Sequence, residues 1–373
     1  MTYLDNGATS FPKPPCVTNA VVCAMENCGN PGRGGYEAAM RGARTVLRCR
    51  ERAGELFGCE PEQVVCTTSC THGLNMAIRT LVKPGSRVVV SGFEHNAVTR
   101  PLHALGVNMH VAGRKLFDQK DTLEQFELAL RRGMDAAVFT HVSNVFGYIL
   151  PVEEMANLCR KYRVPFVVDC AQSAGTLPVN LKDWGADFIA MPGHKGLLGP
   201  MGTGLLLCNR VPKPLLAGGT GSQSESYDMP DFLPDAGEAG TVNVPGIAGL
   251  SAGIDHVLKE GKDRILAREQ QEMRRCVRSL EKLGFTVFSG ENQCGTVSFV
   301  PSCGCEELAE FLGKQGVCVR AGLHCASLAH ESAGTLKTGT VRISFGHEAC
   351  ARQTGNLIFA LEKFRNRGEK PAV

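Results

Sequence analysis

Between about residue 60 and residue 210, short apolar, β-branched runs alternate with stretches in which apolar residues recur at helical spacing. The runs predict strands at 63–67, 87–91, 136–140, 165–168, 188–191 and 204–208. The stretches between them predict helices at 73–81, 123–131 and 153–162. Such alternation implies an α/β fold, with a mostly parallel, doubly wound sheet covered by helices. Residues 218–249 are rich in Gly, Pro, Ser and Asp and read as a long irregular loop. A strongly charged helix follows at 251–283, with His256, Arg264, Arg268, Glu272 and Arg275 among its polar positions. Beyond it, short strands at 285–288, 296–299, 317–320 and 341–345 alternate with helices near 306–315 and 351–364. That pattern predicts a smaller α+β domain beginning near residue 250.

Composition narrows the class. The chain has 373 residues, 43% of them hydrophobic, and a net charge of +3. It is long enough for one large domain and one smaller one, each with a core. No run of Lys and Arg marks a nucleic-acid partner or an anionic membrane surface. No apolar stretch approaches the roughly 18 residues that span a bilayer. Residues Met1 to Pro15 hold Asp5 and three prolines and lack a basic-then-apolar leader pattern, so a cytoplasmic location is expected. The 17 cysteines are odd in number and follow no framework spacing. They read as mostly reduced thiols used as small core residues, with room for a reactive one.

In a doubly wound sheet, ligands bind beyond the carboxyl ends of the strands. Thr71, His95, Asn144, Asp169 and Lys195 each follow a different predicted strand and so collect at that edge. Each has a use in a site for pyridoxal phosphate. Lys195, in a glycine-rich segment, can form an imine with an aldehyde if burial helps it lose a proton. Asp169 can hold a pyridine nitrogen protonated, which makes the ring an electron sink. Thr71, ahead of a helical stretch, suits a phosphate, although a plain N-cap looks the same. His95 can stack on the ring. A solvated lysine, a strand-terminal carboxylate and an ordinary histidine remain the simpler alternatives for single residues.

Read together, the segments resemble the class V aminotransferase family, fold type I, and within it the cysteine desulfurase and selenocysteine lyase branch. Tyr3-Leu4-Asp5-Asn6-Gly7-Ala8-Thr9 is similar to the family's opening motif, and Cys70-Thr71-His72-Gly73 to its phosphate cup. Glu94-His95-Asn96-Ala97 resembles its ring-stacking segment, and His141-Val142-Ser143-Asn144 a further family motif. Asp169-Cys170-Ala171-Gln172 and Gly193-His194-Lys195 resemble its aspartate and lysine motifs. The resemblance implies pyridoxal phosphate as cofactor, bound by Cys70, Thr71, His95, Asn144, Asp169, Gln172, His194 and Lys195. It implies a homodimer in which Thr241, in Glu238-Ala239-Gly240-Thr241, reaches the partner's phosphate. It also implies a large cofactor domain at 14–250 and a small domain formed by 1–13 with 251–373.

Arg320-Ala321-Gly322-Leu323-His324-Cys325-Ala326 is similar to the family segment that carries a nucleophilic cysteine. The resemblance makes Cys325 the catalytic thiol, with Lys195 and His95 as its catalytic partners. Arg320 and His324 are placed to lower the thiol pKa. Arg342 matches a family arginine, and a bidentate clamp on a substrate carboxylate explains Arg there rather than Lys. Asn144 and Arg320 would assist in substrate binding. The implied reaction is L-cysteine to L-alanine, with a persulfide left on Cys325 for a sulfur-acceptor protein.

Three departures stand out. Pro192 replaces a family serine, Leu323 a second histidine, and Ser344-Phe345-Gly346-His347-Glu348 a different ending. They leave open selenocysteine lyase, or another class V lyase or transaminase in which Cys325 is dispensable. Cys303, Cys305, His324 and Cys325 are metal-ligand types, but their spacing matches no common zinc pattern, so no metal is expected. The glycines at 199–204 precede a predicted strand, where a dinucleotide fingerprint must follow one.

Overall fold

A computed structural model of the chain describes residues 1–32 and 34–368. The alternating segment forms a seven-stranded sheet from β2 (Val64–Thr67), β3 (Arg87–Ser91), β4 (Asn108–Ala112), β5 (Ala136–Thr140), β6 (Phe166–Asp169), β7 (Phe188–Pro192) and β8 (Gly204–Cys208). Their spatial order is β2-β8-β7-β6-β5-β3-β4, and only β8 runs against the others. β5 to β8 are buried along their whole length. They therefore read as continuous apolar runs rather than alternating ones, because helices cover both faces.

Each face still takes every second residue. Ala137, Phe139, Val168, Ile189 and Leu207 face a core shared with the helices Glu37–Phe57, Gln119–Arg131 and Val152–Tyr162. Ala136, Val138, Val167, Ala190 and Leu206 face the helices Cys70–Leu81 and Asn96–Ala104. Cys49, Cys159, Cys208 and Cys276 are free thiols buried as small core residues.

The smaller layer is a four-stranded antiparallel sheet, ordered β12-β13-β10-β9. It comprises β9 (Thr286–Phe288), β10 (Thr296–Val300), β12 (Arg320–Gly322) and β13 (Thr340–Ser344). Helices Lys262–Lys282, Cys305–Lys314 and Ala351–Gly368 pack on it. β1 (Thr2–Tyr3) pairs in parallel with β11 (Val317–Cys318), so the first residues belong to this layer.

The structure departs from the sequence pattern at three places. The helix predicted at 251–283 is two helices, Val244–Glu260 and Lys262–Lys282, broken at Gly261 with φ of 87°. The first packs on the helices Pro15–Asn27 and Glu37–Phe57, so the chain leaves the large layer at Gly261 rather than at residue 250. The strand predicted at 317–320 divides between β11 and β12, which belong to different sheets. β4, a half-exposed edge strand, lacks the apolar run that marks its neighbours. Among the described residues, no helix is long and apolar enough to cross a membrane.

Phe139 is fully buried between Phe126 and Phe166, with ring centroids at 4.8 and 6.5 Å. Phe139→Ala should cost about 3–5 kcal/mol, read as a lower denaturation midpoint at unchanged slope.

Candidate active site

Six strands of the large sheet share one direction, and the residues that follow five of them meet at its carboxyl edge. Cys70, Thr71, His95, Asn144, Asp169, Gln172, His194 and Lys195 line one cavity of about 300 Å³ there. Arg320, Cys325 and Arg342 close it from the smaller layer.

After β2 the chain turns at once into the helix Cys70–Leu81. Ser69 is its N-cap, its hydroxyl accepting from His72 N–H at 3.1 Å. Thr71 therefore lies in the first turn rather than at the cap, among N–H groups with no partner inside the helix. Such a helix start is suited to an anion. After β3, His95 caps the helix Asn96–Ala104 through Nδ1, which accepts from Ala97 N–H at 3.0 Å. The neutral ring thus carries its proton on Nε2, and burial lowers its pKa.

Asp169 ends β6 almost fully buried. Its Oδ1 accepts from Ala171 N–H at 2.8 Å and Cys70 Sγ–H at 3.4 Å, leaving Oδ2 without a protein partner among the described residues. Gln172 donates one amide hydrogen to Gly7 O at 2.9 Å and keeps the other. Lys195 follows β7. Burial first, and the charge of Arg342 second, lower its pKa, which favours the neutral amine. The carbonyl of His194 accepts from Ser10 N–H, Thr9 Oγ1, Ser10 Oγ and Lys13 Nζ, the last at 2.7 Å. These bonds tie the N-terminal segment to the lysine turn. Burial lowers Lys13 to about 8.

The smaller layer contributes two guanidiniums, both held by Asp5. Arg342 Nη2 donates to Asp5 Oδ1 at 2.8 Å, and Arg320 Nη2 to Oδ2 at 2.8 Å. Arg342 Nη1 also donates to the carbonyl of Asn144 at 3.0 Å. Arg342 Nε and Asn144 Oδ1 are buried without partners.

Cys325 is an exposed thiol, and both it and His324 take left-handed backbone angles, φ 55° and 50°. That conformation costs a non-glycine residue on the order of 1 kcal/mol. Two bonds to the large layer hold it: Asn144 Nδ2 donates to His324 O at 2.8 Å, and Asn96 N–H to Cys325 O at 2.7 Å. His324 is pushed down to about 3, by burial above all, with Arg342 adding to it. It is neutral near pH 7, so the cation that interacts with Cys325 is Arg320. This narrows the expectation that both residues act on the thiol.

Thr241 is exposed and does not line this cavity. Asp5 and Ser69 were not singled out by sequence, although Asp5 stands inside the opening motif. His330 was also missed. Its buried ring lies 5.8 Å from that of His324, beside the position where Leu323 replaces a family histidine. Among the described residues, no three His, Cys, Asp or Glu converge as metal ligands, Cys303 and Cys305 included.

Four buried side-chain polar atoms without partners among the described residues, Asn144 Oδ1, His194 Nδ1, His324 Nδ1 and Arg342 Nε, belong to residues lining this cavity. With Asp169 Oδ2, the Lys195 amine and the helix start at Cys70, they complement a flat, anionic, aldehyde-bearing ligand.

A fold of this topology with a lysine at the sheet edge belongs to a recognisable class. Residues 2–357 match Aminotransferase class-V, and the chain belongs to that family. Its relatives carry a narrower description. A probable cysteine desulfurase of Pyrococcus abyssi is 31% identical, over 92% of this chain and 89% of its own. One of Methanothermobacter thermautotrophicus is 30% identical, over 98% and 95%. The apo structure of a cysteine desulfurase from Thermococcus onnurineus superposes with a TM-score of 0.89 at 29% identity, covering 98% of this chain and 94% of that one.

Arg342 and Asp5 are both largely buried, with side chains 3% and 12% exposed. Asp5→Ala leaves Arg342 buried without its anion and should cost about 3–5 kcal/mol near pH 7. Urea titration of the cofactor-free chain reads this directly.

Proposed function

We propose that this chain is a pyridoxal-phosphate-dependent cysteine desulfurase that converts L-cysteine to L-alanine and carries the sulfur as a persulfide on Cys325. The observation that carries the reading is the meeting of Lys195, Arg342 and Cys325 at one cavity from two layers. Pyridoxal phosphate, when bound, supplies an aldehyde for an imine and a ring that stores electrons.

The residues divide the work. Lys195 would hold the cofactor through its amine and, once free of it, would move protons at the substrate Cα. Asp169 would hold the ring nitrogen protonated, His95 would pack on the ring, and Gln172 would give its spare amide hydrogen to the phenolic oxygen. Cys70, Thr71 and His194 would hold the phosphate. Arg342 and Asn144 receive the substrate carboxylate, Arg342 through Nε and its remaining N–H groups.

With the substrate so placed, Cys325 Sγ attacks the substrate sulfur as the thiolate. A sulfur–sulfur bond forms as the carbon–sulfur bond breaks. The electron pair stays with the carbon skeleton, which gains a proton and leaves as L-alanine. Arg320 is the cation beside the nucleophile. The exposure of Cys325 suits hand-over to an acceptor protein that comes to the cavity mouth. In a homodimer, Thr241 serves the neighbouring site's phosphate, which accounts for its position outside its own.

Two variants test the reading. Cys325→Ala should lose alanine and sulfide formation from L-cysteine with a reductant present, while keeping the bound-cofactor absorption band. Lys195→Ala should lose the imine band itself. Undiminished alanine formation by Cys325→Ala would remove that thiol from the mechanism and leave a class V lyase of another kind.

A further inference from the structure

The helix Lys262–Lys282 buries two carboxyl groups and treats them differently. Glu272 is met by the Thr354 hydroxyl at 2.8 Å and by Arg275 at 3.2 Å. Glu269 is 7% exposed and has no hydrogen-bond or ion-pair partner among the described residues. Space is kept for it at Gly295, where an added Cβ would lie 2.6 Å from Glu269 Cβ and 2.8 Å from Oε2. The backbone of Gly295 is not left-handed, so room for Glu269 is what favours glycine there.

Glu269 lines a second cavity, of about 40 Å³, behind Lys195. Lys195, Gln172 and Gly7 form a wall common to this space and the active-site cavity. Asn6, Gly346 and His347 form a wall common to it and an outer cleft of about 460 Å³ beside Met1 and Arg352. Three spaces thus lie in series from the lysine to the far surface. The rear cavity, at this size and lined by Gln172, Thr176, Glu269 and His347, has room and polar partners for a water. With substrate in the front cavity, the rear one still borders the lysine amine on its other side.

We infer that Glu269 is a proton-carrying group for Lys195, acting through water in the rear cavity and exchanging with solvent past His347. The inference rests on Lys195 being the cofactor-bearing lysine. Glu269 gives its proton to water, a water proton passes to the Lys195 amine, and the carboxylate recovers a proton from the cleft. No electrons are transferred. The charged and titratable groups around it are Arg268 on its own helix, Cys294 ahead of β10, His347 after β13, and Lys195. Burial raises Glu269 to about 8 against the lowering effect of Arg268. It also lowers His347. Both groups can therefore take and release protons without a stable ion forming in the wall.

The test uses holoenzyme in D2O, with L-alanine as the exchanging compound. NMR reads the loss of its Cα proton to solvent deuterium. Glu269→Gln should slow this exchange by about a hundredfold, at the low end of what a proton-transfer group contributes, with the cofactor band intact. A second reading needs no cofactor. The native state holds a proton on Glu269 that the unfolded chain releases, so native stability falls as pH rises from about 4.5 to about 8. Melting temperatures of the cofactor-free chain should show that part of the decline in the native protein and not in Glu269→Gln. If the glutamine variant does not fold, Glu269→Met, similar in volume, takes its place in both readings. Unchanged exchange with the band retained overturns the inference. Exchange and band both retained in Lys195→Ala would overturn the assignment of the lysine instead.

Discussion

Lys195 and Arg342 are two cations withdrawn from water at one cavity, and the arrangement around them follows from that constraint. A lone buried charge costs several kcal/mol, so it must find an anion or give up its proton. Arg342 finds Asp5 at 2.8 Å and stays a cation. Lys195 has no ion-pair partner among the described residues, and the neighbouring guanidinium adds to the effect of burial. One desolvated space therefore yields a fixed positive anchor and a labile amine, the two opposite properties that imine chemistry on an amino acid requires.

The same cavity binds the two layers together. Its floor is the carboxyl edge of the large sheet, and its roof is the β12–β13 pair with the loop that carries Cys325. The roof is positioned by bonds that cross the boundary: Arg342 to Asn144, Asn144 to His324, and Asn96 to Cys325. Asn144 serves on both sides, donating to the thiol loop and receiving the arginine. The left-handed turn at His324 and Cys325 persists because these bonds offset its cost. A short loop so held presents the thiol at one place.

Much of this was legible in the chain. Apolar runs located β2, β3 and β5 to β8 to within a residue or two, because strands covered by helices on both faces must be apolar throughout. The motif residues fell at strand ends, where topology turns sequence order into proximity. What stayed hidden depends on distant partners or on geometry. Asp5 as the shared anion of Arg320 and Arg342 spans more than three hundred residues, and no local period records that. The N-cap at Ser69 rather than Thr71 is settled by one backbone angle. Glu272 counted among the polar positions of a charged helix, yet it is buried against Thr354. Glu269, on the same helix, was equally unmarked. The break at Gly261 was masked because helical composition continues on both sides.

The N-terminal segment has a consequence for how the protein comes into being. Thr2 and Tyr3 pair with Val317 and Cys318, and Asp5 bridges Arg320 and Arg342. On the ribosome, Thr2 to Asp5 must wait for Val317 to Arg342, more than three hundred residues later, before they can settle. The large sheet can assemble around Lys195 beforehand, but Arg342 and the loop that carries Cys325 arrive only later. Contacts of such long range are slow to close. A chain that stops before Val317 can therefore hold the lysine turn but not the roof of the cavity that Arg320, Cys325 and Arg342 form.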